Sequence, residues 1–88
     1  MKLILAIIRD DDSDGVSSAL IDEEFRVTRI ASTGGFLRRG MSTFIIGVED
    51  ERADEVIKII GETCSQVSEP GMRRATLFVL KVDDYVQI

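Results

Sequence analysis

The spacing of hydrophobic and polar residues predicts four strands, with one helix between the first two strands and one between the last two. Residues 2–8 form a continuous apolar run, which predicts a strand buried on both faces. Residues 25–33 form a strand that is polar on the face containing Ile30. Residues 42–48 place large apolar side chains on one face and Ile45 with a glycine on the other. The last strand, residues 75–82, is apolar on both faces. The polar positions of the second strand are Arg26, Thr28 and Ser32.

Two acidic clusters, at residues 10–14 and 49–51, are typical of helix starts, because carboxylates interact favourably with the unpaired N–H groups there. After the first cluster, apolar residues fall at helical spacing as far as Leu20, and this helix should end near residues 23–24. After the second, the apolar positions i, i+3, i+4, i+7 and i+11 indicate an amphipathic helix. Those positions are Ala53, Val56, Ile57, Ile60 and Cys64.

This order predicts an α+β fold, a ferredoxin-like βαββαβ sandwich with two helices on one face of a four-stranded antiparallel sheet. The length of 88 residues fits a single domain over residues 1–88. Three strands are apolar on both faces, and the uncovered face would expose a larger apolar patch than soluble monomers tolerate. We therefore expect a closed homo-oligomer whose sheets pack together, with no stable monomer in solution.

The composition narrows the class of protein. Hydrophobic residues make up 44% and charged residues 31%, as in soluble globular proteins. A net charge of −5 argues against a general nucleic-acid-binding role, because phosphate backbones require a basic surface. One cysteine, Cys64, fits a reducing, cytoplasmic setting, with the thiol either a small core residue or a reactive group. The apolar start is too short for a signal peptide, and no stretch is long enough to insert into a membrane.

The segment between the second and third strands, residues 34–41, is the strongest candidate for a ligand site. Its glycines permit a backbone nest of N–H groups that binds anions, and its arginines can add charge-assisted hydrogen bonds. An aromatic ring could lie against a base. The segment matches neither GxxxxGK[ST] nor GxGxxG, and a mobile hairpin tip is the alternative interpretation. The residues concerned are Gly34, Gly35, Phe36, Leu37, Arg38, Arg39 and Gly40.

Catalytic and metal sites have little support in the sequence. There is no histidine, which removes the commonest acid–base catalyst and metal ligand. The acidic cluster at residues 10–14 lacks calcium-loop spacing, and a helix start explains it fully. A small phosphate hydrolase of the acylphosphatase kind is a second candidate function. That activity needs an arginine in the loop after the first strand, where Arg9 is followed by three aspartates that would repel an anion.

Four segments resemble the PII-like cyclic di-AMP receptor family: MKLILAIIRDDD, FRVTRIASTGGFLRRG, TFIIGVEDERADEVIKII and ATLFVLKVDDYVQI. The likeness runs without gaps from Met1 to about Cys64 and resumes at residues 75–88. The resemblance implies a PII-like homotrimer that signals to a downstream protein partner, here unknown. It implies no enzymatic activity and no cofactor. The ligand that the resemblance implies is cyclic di-AMP or a related adenine nucleotide. In that family the nucleotide sites lie between neighbouring subunits.

The resemblance also implies ligand-binding residues, position by position. Two match polar residues of the second strand, three match a loop that wraps a base, and two match a backbone contact and an aromatic wall. One more matches a C-terminal contact supplied in the family by the neighbouring subunit, and one stands at a base-reading position. In that order they are Arg26 and Thr28; Gly35, Phe36 and Leu37; Gly47 and Phe78; Gln87; and Met41.

Two departures from the family pattern bear on the ligand. Met41 stands where the family usually has an asparagine that hydrogen-bonds an adenine edge, and a thioether cannot replace that donor and acceptor. The loop at residues 65–74 is much shorter than the family's loop before the last strand, which is expected to signal to a partner. A divergent structural or regulatory trimer that has lost cyclic di-AMP, or binds another small ligand, is therefore the alternative function.

Overall fold

A computed structural model of the chain describes residues 1–32, 40–64 and 74–88. Within these ranges four strands and two α-helices follow the predicted βαββαβ order. The strands form one antiparallel sheet in the order β2-β3-β1-β4, which confirms the ferredoxin-like fold. The elements are β1 Lys2–Arg9, α1 Asp10–Asp22, β2 Arg26–Ser32, β3 Met41–Val48, a 3-10 turn Asp50–Arg52, α2 Ala53–Thr63 and β4 Ala75–Lys81.

One face of the sheet packs against both helices and forms the hydrophobic core. On β1 the side chains of Ile4 and Ile8 are fully buried on this face, because successive strand residues alternate between the two faces. On β3 the predicted alternation is confirmed, with Phe44 and Ile46 buried. The helices contribute the remaining core side chains, among them Val16, Leu20, Val56 and Ile60.

The opposite face of the sheet, which we call the open face, carries no helix among the described residues. The β1 residues Leu3, Leu5 and Ile7 lie on it and are only partly buried. On β4, Phe78 pairs with Leu5 and is 52% exposed. The open face is therefore apolar and accessible in the single chain, as the two-sided hydrophobic pattern predicted.

The regular alternation of β2 ends at a bulge. Arg26 and Thr28 pair with Gly47 and Ile45 of β3, but the register shifts between Arg29 and Ala31. After the shift, the backbone of Ser32 pairs with Ser42, whose side chain points to the core face. Ile30 is therefore the extra residue at this bulge. That Ser32 shares a face with Arg26 and Thr28 stays a prediction.

Helix α1 starts in the first acidic cluster and α2 starts just after the second, and neither helix has a side-chain cap at its N-terminus. Arg9 is the N-cap of α1 and makes no side-chain capping bond, while residues 10–12 occupy the first turn. In α2 four of the five predicted apolar positions are buried, and Ile57 is the exception at 39% exposure. The acidic residues at 49–51 overlap a 3-10 turn that leads into α2.

Helix α1 ends in a Schellman motif built on a residue that is not glycine. The Phe25 N–H donates to the Leu20 carbonyl at 3.0 Å, and the Glu24 N–H donates to the Ile21 carbonyl at 2.8 Å. Glu24 adopts a left-handed conformation with φ of 67°. This conformation costs about 1 kcal/mol or more for a residue with a Cβ, so the chain turns into β2 at some expense in stability.

Replacing Glu24 by glycine should stabilise the fold, because glycine adopts the left-handed region without steric penalty. We expect Glu24→Gly to raise the free energy of unfolding in urea by about 0.5–1 kcal/mol. Glu23→Gly is the matched control, since Glu23 has φ of −93° and gains nothing from glycine. Equal effects of the two changes on stability would contradict this assignment of strain.

Candidate functional site

Two adjoining grooves lie at the end of the sheet where β2 begins and β3 ends. Their volumes are about 330 and 350 Å³, and Met1, Arg26, Gly47 and Tyr85 line both. The first, the helix-side groove, is also lined by Glu24, Phe25, Val48, Glu49, Arg52 and Gln87. The second, the sheet-side groove, is also lined by Lys2, Leu3, Thr28, Ile45 and Val82.

The register of β2 and β3 brings three of the sequence-predicted residues together. Arg26 lies opposite Gly47, and Thr28 lies opposite the neighbouring open-face residue Ile45. Gly47 lies at the junction of the two grooves, and an added Cβ would lie 3.1 Å from the methyl carbon of Met1. The missing side chain thus lets Met1 approach the strand closely at this point.

Arg26 differs from the other arginines of the described residues in what its guanidinium contacts. It is exposed and makes no hydrogen bond, ion pair or ring contact with another described residue. The other four are engaged: Arg9 with Asp12, Arg29 with Ser13, Arg52 with Glu55, and Arg74 with the Gly61 carbonyl. Arg26 is therefore the described arginine available to an anion that enters the grooves.

Arg52 is held in place on the wall of the helix-side groove. Its Nε and Nη2 donate to the two carboxylate oxygens of Glu55 at 3.0 and 3.1 Å. Its guanidinium carbon stands 4.1 Å from the centre of the Phe25 ring. The hydrogen bonds to Glu55 raise the pKa of Arg52, so the side chain stays charged while its charge is locally balanced.

The C-terminal segment after β4 supplies two further lining residues. Gln87, a predicted ligand residue, lines the helix-side groove of its own chain, and the Tyr85 hydroxyl donates to Gln87 Oε1 at 3.1 Å. Tyr85 was not among the predicted site residues, although it lines both grooves and is 52% exposed. The sequence feature that could have identified Tyr85 is the apolar character of the C-terminal tail, because a solvent-exposed end does not require apolar residues.

Two predicted residues lie away from these grooves in the single chain. Met41 is on the open face like Gly47, but six residues earlier on β3, which corresponds to about 20 Å. Phe78 is on β4, separated from Ile45 of β3 by the intervening strand β1, or about 10 Å. The predicted loop residues Gly35, Phe36 and Leu37 lie outside the described residues.

A second polar cluster, at the middle of β2, joins the sheet to α1. Arg29 donates to Ser13 Oγ at 2.7 Å, approaches Asp14 at 3.6 Å, and stands 5.4 Å from the centre of the Phe44 ring. Ser13 is almost fully buried, so these contacts satisfy a polar group inside the fold. This cluster is structural, and it accounts for the second arginine of β2.

The start of β3 is fastened to the start of α1 by Asp10. Its N–H donates to the Gly40 carbonyl at 3.0 Å, and its carboxylate accepts a hydrogen bond from the hydroxyl of the fully buried Ser42. Asp10, expected only at the start of α1, therefore also holds the beginning of β3 in place.

The remaining candidate chemistry does not form a site. Cys64 is buried at the end of α2 in the hydrophobic core, and burial raises the pKa of its thiol, which disfavours the reactive thiolate. No group of three or more potential metal ligands occurs in ranges 1–32, 40–64 and 74–88. Neither described helix combines the length and the apolar character needed to cross a membrane.

Comparison with known proteins agrees with this fold. A family model described as "Cyclic-di-AMP receptor" matches residues 1–70. The chain is also similar to the crystal structure of a functionally unknown protein from Pediococcus pentosaceus ATCC 25745. The two are 37% identical with a TM-score of 0.78, and the alignment covers 99% of this chain and 96% of that chain. This chain therefore belongs to the cyclic di-AMP receptor family.

Proposed function

We propose that this protein binds cyclic di-AMP, or a related adenine nucleotide, in the grooves around Arg26 and Gly47, and that binding signals to a partner protein in the cytoplasm. The observation that carries the proposal is the exposed Arg26 guanidinium, which has no partner among the described residues and lines both grooves of a cyclic di-AMP receptor family member. The protein acts as a receptor that releases its ligand unchanged.

Arg26 supplies the local positive charge that a phosphate needs. The chain carries a net charge of −5, so an anionic ligand is attracted only where a cation is left without an internal carboxylate partner. An arginine on an exposed strand offers a planar set of donors that fits a phosphate. Thr28, two residues along the same face, adds a hydroxyl that can donate to the ligand.

We propose further that the binding sites lie between subunits of a homotrimer. The open face exposes large apolar side chains, including Phe78 at 52% and Leu80 at 47%, and assembly would bury them. Assembly also addresses the separation of Met41 from Gly47, because Met41 of one subunit can approach the grooves of the next. Gln87 and Phe78 would contribute to the same interface.

The segment between β2 and β3 is the proposed means of signalling. Gly35, Phe36 and Leu37 would close over the base, and ordering by the ligand would change the surface offered to a partner protein. Asp10 holds Gly40 and Ser42, so the end of this segment is fastened to the core. Ligand binding can therefore change the segment without displacing β3.

Isothermal titration with cyclic di-AMP tests the ligand. We expect the wild-type protein to bind, and Arg26→Ala to weaken the affinity by about 10-fold to 150-fold, as expected for loss of a charged hydrogen bond. Arg29→Ala is the matched control on the same strand, because Arg29 is engaged by Ser13 and Asp14. It should lower thermal stability and leave the affinity unchanged. Absence of heat from the wild type at millimolar ligand would reject cyclic di-AMP.

Size-exclusion chromatography with light scattering tests the assembly. We expect a trimer at micromolar concentration and a smaller species for Leu5→Glu, because Leu5 lies in the middle of the open face between Ile45 and Phe78. Ile21→Glu is the control, since Ile21 is 56% exposed on α1. A wild-type monomer, or equal behaviour of both folded variants, would contradict an interface on this face.

Met41 decides whether cyclic di-AMP or another ligand is preferred. We expect Met41→Asn to tighten cyclic di-AMP binding by about 5-fold to 150-fold, because an amide can both donate to and accept from an adenine edge. Met41→Leu controls for the loss of methionine without adding a hydrogen bond. If both variants bind cyclic di-AMP equally, Met41 does not face the base and does not set the choice of ligand.

A further inference from the structure

We propose that Arg52, backed by the ring of Phe25, is the surface on which a nucleobase of the ligand stacks in the helix-side groove. This inference rests on the proposed function, since it names which part of a nucleotide each groove receives. Its starting point is the unusual support of Arg52, whose guanidinium is fixed by Glu55 at its edge and by Phe25 on one side.

The contacts of Arg52 leave one surface of its guanidinium for a ligand. Nε and Nη2 are both occupied by Glu55, and one face of the plane lies over the Phe25 ring at 4.1 Å. The side chain is nevertheless 42% exposed and lines the groove. The second face of the plane and the Nη1 group therefore remain for a ligand, and a guanidinium plane stacks well on flat heteroaromatic rings.

The charges of the two grooves favour different parts of a nucleotide. Glu24 and Glu49 line the helix-side groove, where the charge of Arg52 is already balanced by Glu55. Arg26 lines both grooves, but a phosphate on the helix side would also meet those two carboxylates, whereas a base with an exocyclic amino group finds acceptors there for its hydrogen bonds. The sheet-side groove has Arg26 and Lys2 and no carboxylate, so the phosphate belongs on that side.

The position of Arg52 is fixed before the ligand arrives. Phe25 is 7% exposed and is anchored at the end of α1, where its N–H completes the Schellman motif. Glu55 projects from the first half of α2, three residues after Arg52. Since Phe25 belongs to the folded core and Glu55 to helix α2, both supports are in place before the ligand binds, and little conformational entropy is lost when a base binds.

The test separates the planar surface of Arg52 from its charge. Arg52→Lys keeps a cation near Glu55 but removes the plane. We expect it to weaken cyclic di-AMP binding by about 5-fold to 150-fold, the range for loss of one stacked base. Arg74→Lys is the matched control, because Arg74 bonds the Gly61 carbonyl and lies outside both grooves. It should bind as the wild type does.

A fluorescence signal identifies stacking directly. Cyclic di-AMP carrying 2-aminopurine in place of one adenine should be quenched on binding to the wild type and less quenched by Arg52→Lys. Unchanged affinity and quenching in the variant would overturn the stacking role and leave the proposed function intact. Weaker binding with unchanged quenching would also overturn it, since only the position of the charge would then matter.

A measurement on the wild type alone covers the remaining outcomes. If cyclic di-AMP does not bind, the proposed function fails, and adenosine 5′-monophosphate then serves as the probe. In nuclear magnetic resonance spectra, stacking should shift the signals of the Arg52 Nε–H and of the Phe25 ring. Ribose 5-phosphate, which lacks the base, should not shift them. Absence of a shift with the base-containing probe at millimolar concentration would overturn the stacking surface, including where Arg52→Lys does not fold.

Discussion

The pairing of β1 with β3 on one side and β4 on the other is the constraint on which the rest of the structure depends. A central strand that is apolar at nearly every position must bury both of its faces, yet the two helices cover only one. The core face is buried within the chain, where Ile4 and Ile8 pack against the helices. The open face, with Leu5 between Ile45 and Phe78, is left uncovered in the single chain, and this is the physical reason for proposing that another subunit covers it.

The fold could be predicted from the sequence because strand and helix periodicities are local properties. The order of the elements, the faces of β3 and the buried side of α2 follow from spacing alone. The bulge at Ile30 could not be predicted, since neither glycine nor proline marks it. The left-handed Glu24 was equally hidden, because a helix end of this type normally carries glycine or asparagine.

The candidate site was only partly predictable, because the availability of a charge depends on tertiary contacts. Arg26 and Arg29 stand on the same strand and look alike in the sequence, yet only Arg29 is engaged by α1. Arg52 could not be identified from the sequence, since it contacts the ring of Phe25, a residue 27 positions earlier in the chain. Resemblance to a family identified Arg26 and Gly47, and the structure supplies the reason why they can serve together.

The helix end before β2 links the stability of the fold to the candidate site. The turn at Glu24 places a left-handed residue, the buried Phe25 and the exposed Arg26 in consecutive positions. Burial of Phe25 holds the turn, and the same ring supports Arg52, so the conformational cost at Glu24 is offset by packing that also shapes the helix-side groove. A glycine at this turn would relieve the strain but remove a carboxylate from the groove.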